Sequence, residues 1–220
     1  MDTNILNGVK GGVSTREGMF LMEQAKMCPA ELPIIEIGSW EGGSTAWMGR
    51  DSLDGNGAKV YAIDPHYEDT WEIFGANMKR AGVEKAIIPM KETSLEAHEH
   101  WDKGPIGFLW IDGDHSYEGI SLDIKLWEPE LVDGKMIAFH DVTHRNLGVY
   151  RAVKEKIIHS HHYKNLGFVH GILYGTKTKK EYPAILWLVS RASIMTQFHL
   201  IFLKQRIARV IKPLINIFRA

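Results

Sequence analysis

Residues 33–45 read Pro33-Ile34-Ile35-Glu36-Ile37-Gly38-Ser39-Trp40-Glu41-Gly42-Gly43-Ser44-Thr45. A short apolar, β-branched run between a proline and a glycine is a buried strand. Gly38 to Gly43 then forms a turn, and Ser44 to Arg50 starts a helix. Strand, glycine turn and helix in that order open a βαβ unit. The glycines let the backbone approach a ligand, and the helix N-terminus can hold a carboxylate or phosphate. The same residues also satisfy a plain tight turn. A dinucleotide site calls for Gly-x-Gly-x-x-Gly, but Trp40 stands where the second glycine would be, and its bulk would obstruct a pyrophosphate.

Working outward, Ser14 and Glu17 have capping-box spacing, and Met19, Phe20, Met22 and Ala25 follow on a helical period, so residues 14–27 form a first helix. Downstream, 59–63, 86–89, 106–111 and 135–139 read as strands, alternating with helices over 71–81, 95–101 and 117–127. A helix over 147–158 precedes strands 162–166 and 172–177, which a glycine-containing turn can join as an edge hairpin. The expected fold is α/β: a Rossmann-like, doubly wound, mostly parallel sheet with an antiparallel edge hairpin.

From Glu181 the character changes. Leu203, Ile207, Val210, Ile211, Leu214 and Phe218 make one apolar stripe, while Lys204, Arg206, Arg209, Lys212 and Arg219 supply positive charge. We therefore divide the chain into a main domain over 1–180 and a basic amphipathic helical extension over 181–220. Pro213 is expected to kink or divide that helix. Arg191 interrupts the apolar stretch that a spanning helix would need.

The 220 residues carry a formal charge of −1, which gives no global pull toward nucleic acid. Cys28 is the only cysteine, which excludes an internal disulfide and a thiolate zinc cluster made by this chain alone. The N-terminus lacks the basic start and apolar run of a secretory signal, and a reducing cytoplasm is the expected setting.

In an open parallel sheet, ligands bind at the carboxyl ends of the strands, so those loops are where chemistry is sought. Asp64 closes the second strand, where a carboxylate can accept both hydrogen bonds of a ribose diol or simply form the turn before Pro65. Trp110-Ile111-Asp112-Gly113-Asp114-His115-Ser116-Tyr117 crowds two carboxylates and an imidazole at one strand end, and Ala138-Phe139-His140-Asp141 ends the next. If the two strands are neighbours, Asp112, His140 and Asp141 converge, and ligation of one cation becomes feasible. Asp114 is placed to orient His115 or bind substrate, and Trp40 and Trp110 to line the pocket. Tyr117 either faces substrate or packs on its helix, and His144 is within a loop's reach of the pocket. Trp71 and Trp127 read as core or interface, and His159, His161 and His162 as a solvated loop.

The segments EIGSWEGGST, VYAIDP, FLWIDGDHSYEGISLDIKLWEPEL and IAFHD resemble the class I S-adenosylmethionine-dependent methyltransferases, in particular the metal-assisted small-molecule and sugar O-methyltransferases of the catechol type. The likeness runs in order from about Gly12 to Lys177. It implies a cofactor set of Glu36, Gly38, Ser39, Trp40, Gly42, Ser44, Asp64, Thr93, Ser94 and Asp112. The glycine turn would cradle S-adenosylmethionine, Ser44 would lie near its methionine carboxylate, Asp64 would hold the ribose, and Thr93 or Ser94 would sit near the adenine. Asp112, His140 and Asp141 match the positions of a divalent metal, magnesium or manganese, and His115 matches a catalytic base. The departure is His140, where relatives with magnesium commonly carry an oxygen ligand.

The expected activity is methyl transfer to a hydroxyl of a small molecule or glycan, with metal assistance. An NAD-dependent oxidoreductase on a related fold and a non-catalytic membrane-associated scaffold are the alternatives. For the extension, packing on the domain, pairing of subunits in a homo-oligomer and peripheral contact with the inner membrane face stay open.

Overall fold

A computed structural model describes residues 6, 9, 11–67, 69–143, 146–181 and 183–217, with side chains beyond residue 200 described only for Leu203 and Ile207. Helix α1 (Thr15–Met27) precedes β1 (Ile34–Ile37), α2 (Gly43–Asp54), β2 (Val60–Ile63), α3 (Trp71–Ala81), β3 (Ile87–Met90) and α4 (Ser94–Glu99). Then come β4 (Ile106–Ile111), α5 (Tyr117–Trp127), β5 (Leu131–Phe139), α6 (Leu147–Val153), a π-helical turn (Lys154–Ile158), β6 (Tyr163–Val169), β7 (Ile172–Lys177) and α7 (Ala184–Ile217). The strands form one sheet in the order β3-β2-β1-β4-β5-β7-β6. The first five are parallel, and β7 runs antiparallel to both β5 and β6. This is the doubly wound sheet with an edge hairpin expected from the sequence.

Successive strand residues point to opposite faces, and the buried residues divide accordingly. Ile35, Ile37, Leu109, Ile111, Ile137 and Phe139 pack with α4 to α7 through Ala97, Ile120, Trp127, Val149, Ile194 and Phe198. Ile34, Val60, Ala62, Phe108, Trp110 and Ala138 pack with α1 to α3 through Leu21, Trp47, Met48, Phe74 and Met78. Strands buried on both faces explain why β1 and β4 read as continuous apolar runs rather than alternating ones. Trp127 lies in the first layer, as expected of a core residue, but Trp110 departs from the pocket-lining expectation. It points into the second layer and is fully buried beneath the strand end.

Both outer strands are irregular. β3 carries Pro89 opposite Ala62, and β6 shifts register between Lys164 and Gly167, where Asn165 adopts φ +52°. The helix expected over 147–158 does form, but it tightens into α6 and relaxes into the π-helical turn before β6.

Of the two outcomes expected at Pro213, a kink or a division, the helix is not divided: α7 continues through it to Ile217. A proline removes one hydrogen bond and its neighbours carry the helix on. The first half of α7 is tied to β6. The buried Arg191 guanidinium donates through Nε to the Ile158 carbonyl at 2.7 Å and through Nη2 to the Ser160 and Tyr163 carbonyls at 2.6 and 2.9 Å. His161 stacks on Trp187 at 4.4 Å, so this histidine packs rather than standing in solvent. Phe198 meets Phe168 and stacks on Tyr150. No helix among the described residues is long and apolar enough to cross a membrane.

Candidate active site

The chain order of the strands reverses between β1 and β4, and a cleft of about 890 Å³ opens there at their carboxyl ends. That is the place and the size expected of a ligand site on such a sheet.

The wall nearest α2 is built by the turn after β1. Gly38 adopts φ +86°, and a Cβ added to it would lie 2.2 Å from the Asp112 carbonyl oxygen. Only glycine therefore lets the β1 and β4 loops close on each other. Trp40 takes φ +45°, a left-handed conformation unusual for so large a residue, and its N–H donates to Asp64 Oδ2 at 2.8 Å. Gly42, also left-handed, is the N-cap of α2 and supplies no side-chain cap. The first amides of α2, at Gly43 and Ser44, line the cleft with no capping oxygen on them. An uncapped helix N-terminus facing a cleft favours an anionic group.

Glu36 and Gly42, both in the expected cofactor set, are not on the cleft wall. Glu36 is fully buried and accepts hydrogen bonds from the hydroxyls of Ser44 and Thr45, stitching β1 to the start of α2. Burial pushes its carboxyl up to about 8, against the pull of those two hydroxyls, so near pH 7 it is largely neutral.

Asp64 Oδ1 accepts from the His66 N–H at 2.7 Å, so both its oxygens are oriented by backbone amides toward the cleft. On the far side, Thr93 caps α4, and Ser94 accepts from Trp127 Nε1 at 2.9 Å. Asp123, which sequence reasoning passed over as a helix residue, lines the same wall; burial lifts its carboxyl to about 6 despite a hydrogen bond with Ser94. Ser39 Oγ is buried at the wall and has no hydrogen-bond partner. An orphan hydroxyl, unpaired helix amides and an oriented carboxylate together fit a ligand with a carboxylate and a ribose diol. The expected residues Gly38, Ser39, Trp40, Ser44, Asp64, Thr93, Ser94 and Asp112 all line the cleft.

At the ends of β4 and β5 the acidic and histidine residues form a chain rather than a cage. His140 Nδ1 donates to Asp112 Oδ1 at 3.1 Å, and its Nε2 faces Glu17 Oε1 at 3.4 Å. Asp141 adopts φ +53°, the backbone turn needed for consecutive residues to reach the same cleft. His115 Nε2 lies 3.5 Å from Asp112 Oδ1 and 3.7 Å from Asp141 Oδ2. Burial would depress the His140 pKa, but the carboxylates of Asp112 and Glu17 outweigh it and push it up to about 10. Glu17 mirrors this: burial alone would raise its carboxyl, yet hydrogen bonds with His140 and Ser14 hold it near 2. Asp112 likewise holds the His115 imidazolium above its ordinary 6.5, partly offset by burial.

Glu17 is the participant that sequence reasoning missed. It was legible only as the third residue of the α1 capping box, which it is, but the same carboxylate also accepts from the Gly171 N–H at 2.9 Å and reaches His140. Of the two roles expected for Asp114, its bonds favour neither directly: it lines the cleft and accepts from the Ser116 N–H and Oγ at 2.9 and 2.7 Å, fixing the start of α5. Tyr117 donates to Glu155 under the Arg151 guanidinium, away from the base. His144 lies outside the described residues.

Asp112, His140 and Asp141 are oxygen and imidazole donors of the kind a divalent ion takes, but His140 is engaged by Asp112 and Glu17, and among the described residues no three His, Cys, Asp or Glu side chains are disposed to hold one metal.

Comparison with known proteins agrees with the geometry. Residues 35–142 match a family model described as a methyltransferase domain. An uncharacterized protein of Acanthamoeba polyphaga mimivirus is 30% identical over 125 residues, 50% of this chain and 52% of that protein; the chain thus spans about half the length of this curated relative. Among solved structures, an O-methyltransferase from Bacillus cereus in complex with SAH aligns with TM-score 0.63 and 20% identity, covering 80% of this chain and 87% of that one. TomG from Streptomyces achromogenes, an O-methyltransferase involved in tomaymycin synthesis and solved with SAM, aligns with TM-score 0.61 and 18% identity over 76% and 82%. At such identities the structural likeness speaks for the fold, and the matched segment 35–142 runs from β1 to just past β5 and includes the carboxyl ends of all five parallel strands. Residues 35–142 are thus similar in sequence to a methyltransferase domain, and the sheet that surrounds them has the fold of these solved methyltransferases.

Proposed function

We propose that this chain transfers a methyl group from S-adenosylmethionine to a hydroxyl oxygen of a small-molecule or glycan acceptor. The observation that carries the reading is the cleft at the β1–β4 switch, with an uncapped helix N-terminus, an oriented carboxylate and an imidazole on one continuous wall. The amides of Gly43 and Ser44 hold the cofactor's carboxylate, Asp64 takes the ribose hydroxyls, and Thr93, Ser94 and Asp123 flank the adenine. When bound, S-adenosylmethionine supplies a methyl group already activated by the sulfonium.

The chain's own task is then alignment and proton removal. His115, partly exposed at the cleft mouth, is placed to accept the acceptor's hydroxyl proton, and Asp112 and Asp141 on either side stabilise the imidazolium that results. His140, held as a cation between Asp112 and Glu17, offsets the negative charge gathered at the two strand ends. The metal assistance implied by the resemblance has no three-ligand set among the described residues, and we route no step through a metal. Trp40, folded back onto Asp64 through its backbone N–H, keeps its bulk at the turn and argues against a dinucleotide.

Calorimetric titration of the purified chain with S-adenosylmethionine tests the reading, with Asp64→Ala and NAD as comparators. Micromolar binding that the substitution weakens about tenfold or more, as expected on losing hydrogen bonds to a charged group, supports it. Binding of NAD with none of S-adenosylmethionine overturns it.

A further inference from the structure

Helix α7 presents two different faces. Trp187, Arg191, Ile194 and Phe198 recur at spacings of three and four and lie against β6 and its neighbours. Ile185, Val189, Leu200, Leu203 and Ile207 fall in a stripe about 60° wide on the opposite side, at 100° per residue. These five are between 47% and 73% exposed. The stripe therefore faces away from the domain's core and is not part of its packing.

The sequence around the stripe decides what covers it. After Glu181 the chain contains Arg191, Lys204, Arg206, Arg209, Lys212 and Arg219 and not one acidic residue. An overall charge of −1 is thus strongly segregated. Pairing this helix with its counterpart in a second copy would set two cationic segments side by side without counter-charge. An anionic lipid surface offers both an apolar layer for the stripe and head groups for the lysines and arginines. Among the described residues no helix combines the length and the apolar character needed to span.

We infer that α7 is a membrane-docking helix, which lies in the interface of an anionic bilayer with the stripe from Ile185 to Ile207 embedded. Its direction also orients the enzyme. Arg191 touches the start of β6 and Phe198 meets Phe168 near its end, so α7 climbs along β6 toward the edge where the cleft opens. The 19 residues from 199 to 217 carry it on by about 28 Å. The docked helix holds the cleft edge of the sheet beside the bilayer.

The test is flotation of the full chain with vesicles of phosphatidylcholine alone and with one third phosphatidylglycerol, at low and high salt. The chain is expected to float with the anionic vesicles and to be released by salt, because each lysine or arginine near the surface contributes severalfold to binding. The triple variant Leu200→Glu, Leu203→Glu, Ile207→Glu should lose at least about tenfold in partitioning, with an unchanged circular dichroism spectrum and unchanged solubility of the domain. Arg206→Gln with Arg209→Gln should lower binding to anionic vesicles alone. Absence of flotation with anionic vesicles overturns the inference. So does a stable dimer that does not float and that the triple variant dissociates, which would assign the stripe to a second copy.

Discussion

Glu17→Gln isolates the charge that Glu17 places against His140. Glutamine keeps the shape of the side chain and one acceptor oxygen, enough for the Gly171 N–H or for the Ser14 N–H of the capping box but not both, so a pH-independent loss of one hydrogen bond accompanies the loss of charge. What disappears in a pH-dependent way is the negative charge 3.4 Å from a buried imidazole. A carboxyl moved from 4.5 to about 2 by folding corresponds to roughly 3 kcal/mol of stability. That agrees with the range of about 3–5 kcal/mol for breaking one side of a buried pair, and for a chain of this size it is a fall in Tm of roughly 6–12 °C.

The pH dependence gives the sharper test. The Glu17 contribution is present above 4.5 and is lost as pH falls toward 2. The His140 contribution is present below 6.5 and is lost as pH rises toward 10. The stability difference between wild type and Glu17→Gln should therefore be largest between about pH 4.5 and 6.5 and shrink on both sides. Urea unfolding of the two proteins across pH 3–10 measures it. A difference that stays level over that range would refute the ion-pair reasoning and reduce Glu17 to a capping residue.

His115→Ala should lower kcat by about 10²- to 10⁴-fold while leaving S-adenosylmethionine affinity within a few fold, as read by turnover and calorimetry together. In the wild type, kcat/KM should rise with pH through a value above 6.5, because Asp112 and Asp141 hold the His115 proton and His140 only partly opposes them; a limb below 6.5 would remove His115 as the base. Gly38→Ala should cost more than about 3 kcal/mol, the sum of a left-handed φ and an overlap with the Asp112 carbonyl. An unchanged urea midpoint would contradict that account of the turn.

The sheet was legible in the sequence because its physics is local. Runs such as Ile34–Ile37 and Ile106–Ile111 are long enough for a strand, too short for a helix, and punctuated by Pro33, Gly38 and Gly113. The cleft wall was legible for the same reason, since strand ends in this fold are where ligand loops must lie. What the sequence concealed were side chains with two candidate partners. Glu17 satisfies its capping box and His140 at once, and only the return of β6–β7 past α1 brings the Gly171 amide to it. Asp114 had Ser116 two residues away as a nearer partner than His115. Trp110 sits beside Asp112 in the sequence, but strand alternation sends it into the opposite layer, so adjacency to the site did not mean facing it. The convergence of Asp112 and His140 was legible from neighbouring strand ends, but the second carboxylate on His140 comes from α1, which no spacing rule connects to β5.

The irregularities in the outer strands bear on how the protein behaves in a crowded solution. An open sheet offers unpaired amides and carbonyls at each side to any extended chain that passes. Pro89 removes a donor from the middle of β3, and the register shift with left-handed Asn165 bends β6 out of a straight template. Neither side of the sheet can therefore seed strand-on-strand growth, and self-association during folding or storage is checked at both rims. Replacing Pro89 with valine would restore the missing donor and give the protein a flat, sticky rim.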